Sequence, residues 1–128
     1  MPRIRKGTTR RSGRGSKQEH ERIVRETLIL LGREAFKLGR FFENPTGVAY
    51  RDHSWGREWI SYGVKGSPDI YGIILGGRYV GIEIKSGNAI QQDNQVKFQA
   101  MVRSFGGFYF VCRSSADALE AVLKAVSS

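Results

Sequence analysis

The chain reads as an α/β domain, a small mixed β-sheet flanked by helices in the order αβββαβα. Three observations predict it. Apolar residues recur at three and four positions from about Lys17 to Leu38. Two short apolar runs are joined by a Gly76-Gly77 turn, a hairpin signal. A wholly apolar pentad, Phe108-Tyr109-Phe110-Val111-Cys112, falls between two further helical patterns.

Residues 1 to 17 read as a basic tail. They carry Arg3, Arg5, Lys6, Arg10, Arg11, Arg14 and Lys17, no acid, and only Met1 and Ile4 as sizeable apolar groups. Such a segment cannot bury enough surface to offset its ordering entropy. It is expected to be disordered alone and to order, if at all, on phosphates. Residues 18 to 128 form the domain. In its first helix Ile23, Val24, Thr27, Leu28 and Leu31 make the apolar stripe, and Glu19, Glu21 and Glu26 fall in the early turns. Gly32 interrupts, and Gly39 ends this helix or a second short one. Residues 40 to 57 mix turn formers, aromatics and arginines and read as a loop, one that suits a substrate-binding edge. Trp59 to Tyr62 is a short strand, Asp69 to Leu75 a second and Tyr79 to Lys85 a third. A helix runs from Ala89 or Gln91 to about Phe105 and stops at Gly106-Gly107. Phe108 to Cys112 is expected to be a central strand covered on both faces. Ser114 or Ser115 caps a last helix through Val126, with Leu119, Val122 and Leu123 inward.

The bulk numbers bound the function. The 128 residues suffice for one modest core, and 40% apolar with 26% charged residues is an ordinary soluble globular composition. A formal net charge of +9, much of it clustered in the tail, points to a polyanionic partner. The lone Cys112 lies in an apolar strand, so it reads as a core residue and forms no internal disulfide. His20 and His53 are far apart, and no Cys/His spacing resembles a zinc site. No run is long and apolar enough to span a membrane, and the basic start lacks the apolar stretch of a secretory signal. A reducing cytoplasm fits.

The chemistry concentrates between residues 66 and 85. Gly66-Ser67-Pro68-Asp69 opens one strand of the hairpin and Ile82-Glu83-Ile84-Lys85 closes the other. Alternation puts Glu83 and Lys85 on one face and Val80, Ile82 and Ile84 on the other. Two carboxylates beside a lysine suit a divalent cation, a water molecule and a phosphate. Whether Asp69 joins them depends on the turn. A two-residue loop pairing Leu75 with Arg78 sets Asp69 opposite Ile84, on the wrong face. A three-residue loop pairing Leu75 with Tyr79 sets it opposite Lys85. The chemistry therefore requires an odd-length turn or a bulge.

These residues resemble the Pro-Asp…Glu-x-Lys signature of the restriction-endonuclease-like nucleases, PD-(D/E)xK, and more narrowly the VRR-NUC domain of stand-alone virus or phage type. That branch combines a Gly-x-Pro-Asp turn and a Glu-x-Lys strand with a Glu on the first helix and a Gln on the following helix. Gln95, in Asp93-Asn94-Gln95-Val96, matches the Gln position. Asn44-Pro45-Thr46-Gly47-Val48 resembles the Asn-containing loop before the signature, and Phe110 to Ser114 the closing strand. The resemblance covers about Glu19 to Val126, so only the tail lies outside it.

The resemblance implies a Mg²⁺- or Mn²⁺-dependent endodeoxyribonuclease, with the metal held by Asp69, Glu83, the Ile84 carbonyl and a helix acid. For that acid Glu21 is preferred and Glu19 is the substitute. Lys85 is assigned to the attacking water or the scissile phosphate, and Gln95 to orienting water or supporting the site. Family members this short resemble junction-resolving enzymes acting as homodimers on branched or duplex DNA, in the cytoplasm of a bacterial or virus-infected cell. Trp55, Trp59 and Phe41 are candidates for a dimer interface, a DNA-facing surface or the core. The alternatives are a nuclease or nickase of other structural preference and a non-catalytic basic DNA-binding module.

Overall fold

A computed structural model describes residues 16 to 128. The basic segment expected over residues 1 to 17 lies, but for its last two residues, outside the described residues. The order is α1 (Lys17–Glu34), β1 (Gly39–Glu43), β2 (Gly47–His53), β3 (Gly56–Tyr62), β4 (Ile70–Ile74), β5 (Arg78–Ile84), α2 (Asp93–Ser104), β6 (Phe108–Cys112) and α3 (Ser115–Val126). The fold is thus mixed α/β with a four-stranded sheet, β1-β4-β5-β6, and a separate two-stranded ribbon, β2-β3. Only the β5-β6 pair is parallel.

Five strands precede α2 where three were expected. The residues read as a loop from 40 to 57 form β1 and most of the ribbon. β1 escapes periodicity because it is short, and of its aromatics Phe41 packs on the core while Phe42 is exposed. Trp59 to Tyr62 belongs to the ribbon, not to the main sheet. The ribbon turns at Ser54-Trp55 between paired His53 and Gly56, and none of its described side chains is fully buried. Without a buried face, no apolar alternation marks it in the sequence.

The core lies between the sheet and the α1/α3 layer. Val80, Ile82 and Ile84 of β5 meet Ile23, Val24 and Leu31 of α1 and Ala118, Val122 and Ala125 of α3. The alternation predicted for β5 therefore holds, with Glu83 and Lys85 on the reverse face. There α2 covers the sheet, Phe98 approaching Tyr109 of β6 at 6.2 Å between ring centroids.

Three expectations shift. α1 runs through Gly32 without interruption and ends at Glu34, its C-cap Ala35 fully buried. β6 is an edge strand, with Val111 exposed; its apolar pentad reflects partial cover from both α2 and α3. Leu123 is exposed because α3 turns Ala118, Val122 and Ala125 inward, Leu119 flanking them. Ser114 caps α3 by accepting the Asp117 N–H. Cys112 is buried, which pushes its thiol up to about 12 and fits a core role.

The β4-β5 register decides the site. Ile74 pairs with Arg78 and Ile70 with Ile82, around a three-residue loop, Leu75-Gly76-Gly77. The turn is odd in length, as the chemistry requires, but displaced by two residues from the pairing expected. Continued one step, it brings Asp69 opposite Glu83 rather than Lys85. Gly76 and Gly77 take φ of +87° and +73°, which other residues resist.

The central and edge positions of β5 and β6 give different expectations for truncation. Ile82→Ala should destabilise the domain by about 2–5 kcal/mol in urea unfolding. Val111→Ala should cost under about 1 kcal/mol.

Candidate active site

Three elements converge where β4 begins and β5 ends. Asp69 stands just before the ladder starts. One of its oxygens, Oδ2, accepts the Ile84 N–H at 2.7 Å and lies 3.2 Å from His20 Nε2 on α1. Continued two steps past its last pair, the register sets Pro68 opposite Ile84. Proline has no N–H, so β4 offers no ladder donor to the Ile84 carbonyl. Lys85, next along, returns its N–H to β6 by donating to the Cys112 carbonyl at 2.9 Å.

Glu83 lies on the same face as Asp69 and is 4% exposed. Its Oε2 accepts from Gln95 Nε2 at 3.0 Å and sits 3.5 Å from Lys85 Nζ. Its Oε1 is buried with no partner. Gln95 is positioned by α2's first turn, where its Oε1 accepts the Gln92 N–H at 2.9 Å.

The approach to Asp69 is tied down from two sides. Asn44 donates from its side chain to the Pro68 carbonyl at 2.8 Å and to Ser67 Oγ at 2.9 Å. Its own N–H donates to the Asp69 carbonyl at 2.8 Å. Gly66 has φ +88°, and a Cβ there would overlap the Asn94 carbonyl at the start of α2. The glycine of the Gly66-Ser67-Pro68-Asp69 turn thus lets the turn and α2 close on each other.

Electrostatics follow from this crowding. Burial and the Asp69 charge push the Glu83 carboxyl up to about 8, against the pull of Lys85. His20 is raised chiefly by its hydrogen bond to Asp69, against the lowering effect of its own burial. The charges of Asp69 and Glu83 and the Ile84 main chain raise it further. His20 is thus held by Asp69, one of the groups that the resemblance would assign to a metal.

Asp69, Glu83, Lys85, Gln95 and the Ile84 main chain are brought together. Neither helix acid makes a hydrogen bond or ion pair with that cluster. Glu21 is exposed and lines a cavity of about 280 Å³ that His20, Asn44 and Asp69 also line. Glu19 lies 3.9 Å from Arg22 on α1 itself. His20 is the α1 side chain that contacts Asp69, and a signal for it existed: it continues the buried stripe of Val24, Thr27 and Leu31 by one turn toward the N-terminus. Asn44 was legible as part of a loop but not as the anchor of the Pro68-Asp69 turn.

Among the described residues, no three His, Cys, Asp or Glu side chains stand close enough to cage a metal ion by themselves. The donor set nevertheless fits a hard divalent cation of the kind held by one or two carboxylates, water and phosphate oxygens. Asp69 and Glu83 are the carboxylates, Ile84 has a carbonyl without a β4 donor, and the orphaned Glu83 Oε1 is a buried acceptor in want of a positive partner. The chain matches no protein-family profile and no curated protein.

The two raised groups work in the same direction with pH. Glu83 ionises near 4.5 when unfolded but near 8 in the fold, so stability falls as pH rises between those values. The contribution of His20 is complete below its ordinary 6.5 and is lost as pH rises through its higher folded value. Without divalent ions, the melting temperature should fall from about pH 5 to about pH 8.5. Glu83→Gln should flatten most of that slope in thermal melts followed by circular dichroism.

Proposed function

We propose that this chain is a Mg²⁺- or Mn²⁺-dependent endodeoxyribonuclease of the restriction-endonuclease-like, VRR-NUC type, hydrolysing phosphodiester bonds in branched or duplex DNA. The observation that carries the reading is the gathering of Asp69, Glu83 and Lys85 at one end of the β4-β5 hairpin, with Gln95 on Glu83. The element order adds support: with the β2-β3 ribbon set aside, the remainder runs αβββαβα around the four-stranded sheet. The net charge of +9 supports a nucleic-acid partner.

Asp69, Glu83 and the Ile84 carbonyl would hold the cation. When bound, it supplies charge neutralisation at the phosphate and a water acidified toward hydroxide. The remaining work falls to the chain's own residues. Lys85, largely shielded from solvent, sets a cation where negative charge builds on the phosphate during attack. Gln95 fixes the Glu83 carboxylate by one hydrogen bond while its other end is held by the helix cap. Pro68 and Asn44 hold Asp69 at the mouth of the hairpin. The described residues of one chain form one such centre, so paired cuts across a four-way junction would take two chains related by a two-fold axis.

The test is incubation with Mg²⁺ or Mn²⁺ and a panel of four-way, flap and linear DNAs, beside the Asp69→Ala variant. Metal-dependent cleavage should fall by about 10²–10³ or more in the variant. Salt-sensitive binding should survive, because the basic residues are untouched. Binding without any metal-dependent cleavage by the unaltered protein would identify a non-catalytic DNA-binding module.

A further inference from the structure

The β2-β3 ribbon plays no part in the core, and an isolated two-stranded ribbon is marginal in water. Its side chains nevertheless form an ordered surface. At the tip, Trp55 lies flat on His53, with ring centroids 4.6 Å apart and planes 8° from parallel. His53 is itself held by Glu58 at 2.7 Å. Trp55 is 72% exposed. Farther down, Trp59 packs beside its cross-strand partner Tyr50 at 5.4 Å. Arg57 covers Tyr50 at 3.9 Å and is anchored to Asp52 at 2.8 Å. Trp59 is 54% exposed. Both indoles are thus braced by a neighbour while much of their surface stays in water.

We propose that the ribbon is a base-stacking arm, taking unpaired nucleobases of single-stranded or branched DNA on Trp55 and Trp59. Stacking on a ring already fixed from behind costs little side-chain entropy and tolerates any base. The charge pattern favours this occupant. From Gly47 to Tyr62, Arg51 and Arg57 are balanced by Asp52 and Glu58, on a chain whose net charge is +9. The ribbon's own grip is therefore on bases, and attraction to phosphates falls to the rest of the chain. Position agrees: Asn44, three residues before β2, ties down Pro68 with its side chain and Asp69 with its main-chain N–H. The base of the ribbon is thus joined to the candidate active site.

The inference rests on the reading of this chain as a DNA-acting protein, and it deepens that reading by naming unpaired bases as the feature recognised. The chain's two tryptophans are both on the ribbon, so indole emission reports on it alone. The full-length protein is titrated in EDTA with a labelled oligo-dT, a four-way junction and a blunt duplex, following label anisotropy and tryptophan emission together. Oligo-dT and junction binding should quench the emission, and Trp59→Ala should weaken oligo-dT binding roughly tenfold without changing the salt slope. Trp59→Phe should restore most of the affinity, and circular dichroism should show the fold of both variants intact. DNA binding with unaltered emission and undiminished variant affinity overturns the arm and leaves the nuclease reading standing. Absence of binding to every DNA overturns both. Emission that changes with protein concentration alone, without DNA, marks a self-association face and also overturns the proposal.

Discussion

The hydrogen bond from the Ile84 N–H to the Asp69 carboxylate is the constraint on which the site turns. It stands where the backbone ladder between β4 and β5 gives out. The Asp69 carboxylate accepts the Ile84 N–H while the Pro68 carbonyl is taken by the Asn44 side chain, and this holds Asp69 on the face that carries Glu83. The core side of the same strand is what makes that hold rigid. Val80, Ile82 and Ile84 are fully buried under α1 and α3, so β5 has no freedom to slide and its polar residues cannot exchange faces.

That rigidity concentrates like charge. Two carboxylates, one of them almost wholly buried, are held together by packing that neither would choose in water. The protein's own answers are partial. Lys85 and Gln95 attend one oxygen of Glu83, and His20 attends one oxygen of Asp69. This crowding of like charge is confined to one end of one hairpin and supported by an otherwise regular core, and it is what the proposed cation would relieve.

The hairpin and its face assignment were legible because Glu83 and Lys85 break an apolar run of period two, and because the Gly76-Gly77 pair marks the turn. Parity of the loop followed from the chemistry; the register itself did not, since Leu75 and Arg78 fit either side of an odd turn equally well. The helix position was harder. Glu19, His20 and Glu21 are consecutive, and only the phase of the buried stripe distinguishes them. That phase is set by which side of α1 meets the sheet. Of the ribbon, only Trp59 to Tyr62 was legible as a strand, because periodicity detects burial and the ribbon has no buried face. For β6, full apolarity suggested a central strand, but two helices shading an edge produce the same composition.

The placing of both tryptophans outside the core has a further consequence for how this molecule is watched as it unfolds. Emission will follow the fraying of a marginal hairpin, while far-ultraviolet ellipticity follows three helices and the main sheet. Curves from the two probes need not superimpose. Such a mismatch would mark a populated state in which the ribbon has frayed while the core still stands.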